Sequence, residues 1–176
     1  MSEDPGQKPF SHKLGSTMTL LAWLLLLGLL TVLFSSYLDK ENNPNTQVIS
    51  RTVGSNTEIS LNQNRQGHYV ATAAFNGMPV DIMIDTGATE VSVPGPIADQ
   101  IGLARGAVME VSTANGTIPV FATIINTIQI GEMVLHNVRA NINDYMDGQF
   151  VLLGMSFLKR VDFSQKQGQL ILTQTQ

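Results

Sequence analysis

The sequence predicts an all-β domain carried behind a single N-terminal apolar helix. Residues 18–38 hold no charged side chain and are almost wholly apolar. From residue 57 onward, short stretches rich in Val, Ile and Thr are punctuated by turn residues, among them Asn76-Gly77. Helical signal in that region is confined to residues 94–101 and 155–160, which allow a turn or two each. Many short strands, hairpin turns and scant helix indicate a barrel or sandwich.

The apolar run begins MTLLAWLLLLGLLTVLF at residue 18. A helix rises about 1.5 Å per residue, so roughly 20 such residues cross a hydrocarbon core of about 30 Å. Trp23 and Tyr37 are placed for the two interfaces, where amphipathic rings are favoured. The alternative is a cleaved signal peptide, which calls for an apolar core of about 7–15 residues and an Ala-x-Ala-like site. Ser35-Ser36 matches that site poorly. Lys8 and Lys13 precede the run and Lys40 follows it, so the positive-inside rule places the N-terminus in the cytoplasm. The expected order is a cytoplasmic segment at 1–17, a membrane helix at 18–38, a linker at 39–56 and the β domain at 57–176. In a bacterium that domain would lie in the periplasm, carried on the inner membrane.

Of the fourteen acidic and ten basic residues, only Glu3, Asp4, Lys8 and Lys13 precede the apolar run. The remainder is net acidic with no basic cluster, which argues against nucleic acid as a partner. The chain has no cysteine, hence neither disulfides nor a thiolate nucleophile. His12, His68 and His136 lack metal-ligand spacing, and residues 143–148 (NDYMDG) lack that of a calcium loop, so neither a metal nor a cofactor is expected.

Residues 39–56 contain Pro44 and Gly54 and are otherwise polar, which suggests a linker; 47–53 could form a short strand. Residues 67–75 and 78–84 flank Asn76-Gly77, a strong short-range hairpin signal because a type I′ turn needs positive φ at both central residues. Residues 107–113 and 117–123 flank a second turn, Ala114-Asn115-Gly116. A third pair, 124–130 and 133–142, turns at Gly131-Glu132, and 169–173 reads as a last strand.

The chemistry is carried by residues 80–93, VDIMIDTGATEVSV. An apolar strand delivers Asp85, followed by Thr86, Gly87 and Ala88 and then by a second β-rich segment. Asp-Thr-Gly alone is a weak signal, because an aspartate before a turn glycine is often a simple Asx turn. Here it stands with Gly67-His68-Tyr69, Asn76-Gly77 and, at 152–158, LLGMSFL. In that order these residues resemble the retropepsin clan of aspartic proteases, and most closely its bacterial membrane-anchored members. The likeness extends over residues 57–172.

The resemblance implies a one-lobed retroviral-type acid protease barrel acting as a homodimer on peptide or protein substrates. Asp85 would be the catalytic residue. Two carboxylates in contact cannot both ionise, so a pair shares one proton and supplies both a base and an acid. This chain has one Asp-Thr-Gly and about half the length of a two-lobed enzyme, so the second aspartate would come from a second copy across a two-fold axis. The resemblance also makes Thr86 a cross-dimer hydrogen-bonding residue, and places Gly87 and Ala88 in the supporting loop. Ala114, Asn115 and Gly116 fall where the family has its flap, and Leu153 and Gly154 behind the catalytic loop. Viral members have an acidic residue where this chain has Thr89 and an arginine where it has Met155, so the dimer would be braced differently. A catalytically silent dimerisation or peptide-binding module on the same barrel is the rival. A precursor that cuts itself within 39–56 is a third reading.

Overall fold

The computed structural model describes residues 11–113, 116–146 and 148–175. The chain divides into two units, Met1–Lys40 and Glu41–Gln176.

In the first unit, α1 (Ser11–Asn42) is apolar around its circumference, and Leu21, Trp23, Leu25 and Phe34 all stand exposed. Such a helix, uncovered by other protein, is not a core helix. Within its 26-residue stretch Thr17–Asn42, the most apolar 18-residue window has a mean hydropathy of 2.3, enough length and apolarity for a bilayer span. An N-terminal signal sequence shares those properties. The hydroxyls of Thr19 and Thr31 donate to the carbonyls of Gly15 and Leu27 at 2.8 Å, leaving the helix little polar demand on its surroundings.

Among the described residues the second unit holds eleven strands and two short helices: β1 (Ile49–Val53), β2 (Asn56–Asn62), β3 (Val70–Phe75), β4 (Met78–Ile84), β5 (Val91–Pro94), α2 (Gly95–Gln100), β6 (Val108–Thr113), β7 (Gly116–Ile130), β8 (Met133–Asn143), β9 (Val151–Leu153), α3 (Met155–Leu158), β10 (Asp162–Lys166) and β11 (Gln169–Thr175). Seven of them run in the order β3-β4-β9-β5-β8-β7-β6, and a further pairing of β3 with β7 closes six into a barrel. The other four form a sheet ordered β1-β2-β11-β10. The all-β expectation holds. Phe75, Ile82, Ile125, Ile142, Leu153 and Phe157 are among the fully buried side chains of one shared core.

The β3–β4 hairpin turns at Asn76 (φ 50) and Gly77 (φ 84), both positive as the type I′ reading requires. Two elements differ from the sequence reading. Residues 117–130 are not two strands but one, β7, which keeps a single register with β8 from Phe121 to Ile130; the ladder is interrupted where Asn126 faces Asn137, whose φ is 53. The strand β10 was not anticipated, because all five of its residues are exposed and leave no apolar alternation to see.

Residues 43–53, polar enough to suggest a linker, are built into the fold. Asn43 and Asn45 are 6% and 3% exposed, and β1 pairs with β2. The Asn45 amide donates to the carbonyls of Asn62 (2.9 Å) and Val70 (2.7 Å), and its oxygen accepts from the Asn62 N–H at 2.8 Å. Asn43 donates to Thr72 Oγ1 and Asp81 Oδ1, both at 3.0 Å, and Thr72 Oγ1 donates to Asp81 at 2.6 Å. Asp81 is therefore a half-buried structural acceptor. Removing the Asn45 side chain strands buried backbone groups on two elements, at about 1–3 kcal/mol each. Asn45→Ala is expected to lower unfolding free energy in urea by about 2–4 kcal/mol, with the m-value unchanged.

At the other side of the unit, Arg105 forms ion pairs with Asp99 and Asp144 and lies 5.9 Å from the Phe121 ring centroid. Its hydrogen bond holds the Asp99 carboxyl below the usual carboxylate range.

Candidate active site

The sheet topology fixes where Asp85 must go. β9 lies between β4 and β5, parallel to the first (Ile84 opposite Leu153) and antiparallel to the second (Ser92 opposite Leu152). The chain leaving β4 must cross the end of β9 to reach β5, and residues 85–90 are that crossing. Backbone hydrogen bonds hold it on both sides. Asp85 N–H donates to Leu153 O at 3.2 Å, Ile84 N–H to Tyr69 O at 2.9 Å, and Met155 N–H to Ala88 O at 2.8 Å.

Within the loop, Gly87 N–H donates to Asp85 Oδ1 at 2.8 Å, and Ala88 N–H to Asp85 O at 3.3 Å. One carboxylate oxygen is thus fixed by the backbone. A Cβ on Gly87 would sit 3.2 Å from Asp85 Oδ1, so a side chain there would crowd the carboxylate. Gly154 is constrained more severely. Its φ of −88° suits any residue, but a Cβ would strike Glu90 O and lie 2.7 Å from Ala88 O. The requirement is space for the crossing loop. Just beyond, Ser156 Oγ accepts from Val91 N–H at 2.9 Å and donates to Arg139 O at 2.7 Å, pinning the loop's exit to β8. Sequence reasoning had not singled out Ser156, although it lies inside the LLGMSFL run.

Asp85, Gly87 and Ala88 line a cleft of about 630 Å³ whose opposite wall is β6 from Met109 to Thr113. Asp85 is half-buried, while Thr86 beside it is exposed. Leu153 and Gly154 lie behind the loop and do not line the cleft. Of the expected flap residues, Ala114 and Asn115 lie outside the described residues; Gly116 opens β7 at φ 117, its carbonyl accepting from Thr113 Oγ1 at 2.8 Å. The cleft also takes in Glu90, Ser92, Glu110, Asn141 and Asn143, which sequence reasoning did not place there. The signal available was a polar residue inside an apolar strand, Ser92 in VSVP and Asn141 in RANIN. A second cleft, of about 640 Å³, lies around Asn76, Leu103 and Ile124 and shares Glu90 and Met109 with the first. It lacks the backbone-held carboxylate that makes the Asp85 cleft the candidate.

Residues 71–160, just over half the chain, match the family described as "gag-polyprotein putative aspartyl protease". The chain belongs to that family. It is 30% identical over 111 residues to an uncharacterized protein in the cobV 5′ region of a Sinorhizobium species, a match covering 61% of this chain and 48% of the relative. The chain thus spans about half the length of the curated relative it matches. Among solved structures, a retropepsin-like aspartic protease from Rickettsia conorii superposes with a TM-score of 0.56 and 25% identity, over 73% of this chain and 94% of that one. The EIAV protease complexed with the inhibitor HBY-793 aligns at a TM-score of 0.45 and 19% identity, over 55% of this chain and 89% of that one. This aspartyl protease family member therefore has the retropepsin-like fold, with an apolar N-terminal helix added.

Proposed function

We propose that the protein is a membrane-anchored aspartic endopeptidase whose active centre pairs Asp85 of one subunit with Asp85 of a second copy. The observation that carries this reading is the Asp85 carboxylate itself: half-buried at the mouth of a cleft, one oxygen fixed by Gly87 N–H, under a β hairpin, in a chain of aspartyl protease family. The exposed Thr86 beside it fits a surface completed by a second copy.

In the paired site, one carboxylate is ionised and the other protonated, because two in contact cannot both carry charge. The ionised member takes a proton from a water as its oxygen attacks the scissile carbonyl carbon. The protonated member gives its proton to the carbonyl oxygen. The resulting gem-diol collapses as a proton passes to the amide nitrogen and the carbon–nitrogen bond breaks. The requirement for one shared proton favours mildly acidic conditions. The helix 18–38 would hold the domain at a bacterial inner membrane facing the periplasm, raising the concentration of one copy near another.

The test incubates full-length protein in detergent micelles with a diverse peptide pool from mildly acidic to neutral pH, with sedimentation as a parallel measure of dimerisation. Cleavage by the dimer, blocked by a statine-type peptide that mimics the gem-diol, is the expected result. Stoichiometric peptide binding by a dimer with no cleavage at any pH would replace this reading with a silent binding module.

A further inference from the structure

The chemistry of the cleft beyond Asp85 bears on what it accepts. Among the described residues, its lining contains three carboxylates, Asp85, Glu90 and Glu110, and no Lys, Arg or His. Asp85 is committed to the reaction. Glu90 has a side chain only 17% exposed, and its cationic neighbour is Arg139, with Nε 4.0 Å away on a side chain 78% exposed. An ion pair that long, with one partner in water, compensates a carboxylate weakly. Glu90, which also lines the second cleft beside Arg139, therefore brings a largely desolvated, weakly compensated carboxylate to the edge of the Asp85 cleft. Glu110 adds a second from the opposite wall on β6.

The floor between them is polar as well. Ser92 and Asn141, opposite one another in the β5–β8 register, are 9% and 5% exposed. Ser92 Oγ donates to Asn141 Oδ1 at 2.8 Å. Among the described residues, no group accepts from the Asn141 amide nitrogen. Among the described residues, the Tyr69 hydroxyl alone is both fully buried and unpaired. The Asn141 amide nitrogen therefore keeps access to the cleft that its residue lines. Glu90 and Ser92 both line the cleft.

We propose that this cleft selects substrates with a basic side chain, lysine or arginine, close to the scissile bond, an inference that rests on the peptidase reading above. An apolar side chain laid over this floor would strip water from Glu90, Ser92 and Asn141 and return nothing. Sites built to hydrogen-bond a substrate group reject analogues lacking it by factors that reach about 10⁴. A carboxamide would satisfy hydrogen bonds but leave the Glu90 charge unmatched. A guanidinium or ammonium donates to Glu90, to the free lone pair of Asn141 Oδ1 and to Ser92 Oγ while supplying the missing charge. The Asn141 amide is then left to a substrate backbone carbonyl or a bridging water.

The experiment uses full-length protein in detergent micelles. Cleavage sites in a diverse peptide pool are mapped, and the best substrate is remade with arginine, citrulline or norleucine at the position most enriched. Enrichment of lysine or arginine within about three residues of the scissile bond is expected. So is a kcat/KM that falls roughly tenfold for citrulline and roughly a hundredfold for norleucine. The loss should lie mainly in KM. In Glu90→Gln the arginine-to-citrulline ratio should move toward one, and in the exposed Glu110→Gln it should move the same way by less. Equal rates for arginine and citrulline, or a preference for norleucine, would overturn the proposal while leaving the peptidase reading intact. If nothing is cleaved, statine peptides carrying the three side chains give the same ordering by equilibrium binding; failure to bind any of them removes both readings.

Discussion

Asp85→Asn is expected to reduce kcat for peptide hydrolysis by at least about a thousandfold, with the folded state intact. General acid–base catalysis contributes about 10²–10⁴-fold, and in a symmetric dimer one substitution removes both the acid and the base. Asparagine keeps an oxygen to accept from Gly87 N–H, so the loop geometry survives. Asp85 is half-buried, and the predicted stability change is within about 0.5 kcal/mol. Circular dichroism and the urea midpoint should match wild type. Mixing the two proteins sharpens the test. If the dyad spans two subunits, activity falls as the square of the wild-type fraction once subunits have exchanged. A linear fall would show that each subunit works alone, and the paired-aspartate mechanism would be wrong.

Gly154→Ala is the second large effect, and it arises from space. The added methyl would strike the Glu90 carbonyl and sit 2.7 Å from that of Ala88. Neither obstacle is the flexible end of a side chain; both are backbone, and Ala88 O also accepts from Met155 N–H at 2.8 Å. Overpacking of this kind costs about 1–3 kcal/mol, occasionally more. Relief requires residues 88–90 to lift away from β9, which carries Asp85 with them. Two losses are therefore expected together: a fall of about 3 kcal/mol in unfolding free energy, and a drop in kcat that persists at temperatures where the variant is fully folded. A Gly154→Ala protein with wild-type melting temperature and turnover would show that the loop does not depend on this close approach.

The residues that frame the candidate site were legible because their constraints are local. Asn76-Gly77 announces its turn through positive φ, and Asp85 through the motif that follows an apolar strand. Gly154 is recognisable from its place after a buried strand, although its steric reason needs the crossing loop to be seen. The parts that escaped depend on distant partners. Asn43 and Asn45 look like linker residues because their amides stand in for backbone pairing, and nothing in the neighbouring sequence reveals that Asn62, Val70 and Asp81 are their partners. β10 has no buried face from which an alternation could be read. Asn126 looks like a break between two strands in one dimension, yet β7 runs through it without a change of register against β8. Ser92 and Asn141 lie far apart in sequence, so their pairing becomes visible only when β5 meets β8.

The threading of β9 between β4 and β5 also orders events in time. Asp85 leaves the ribosome well before the segment that will support it, since its N–H is held by Leu153 and its loop by Met155. Until residues 151–158 have emerged, the loop has no floor and β5 lacks one of its neighbours. Such long-range pairings close late in folding, because the loop entropy must be met before the contacts form. A nascent chain would therefore carry its aspartate in an unassembled state. The candidate site is thus assembled only when nearly the whole domain is in place.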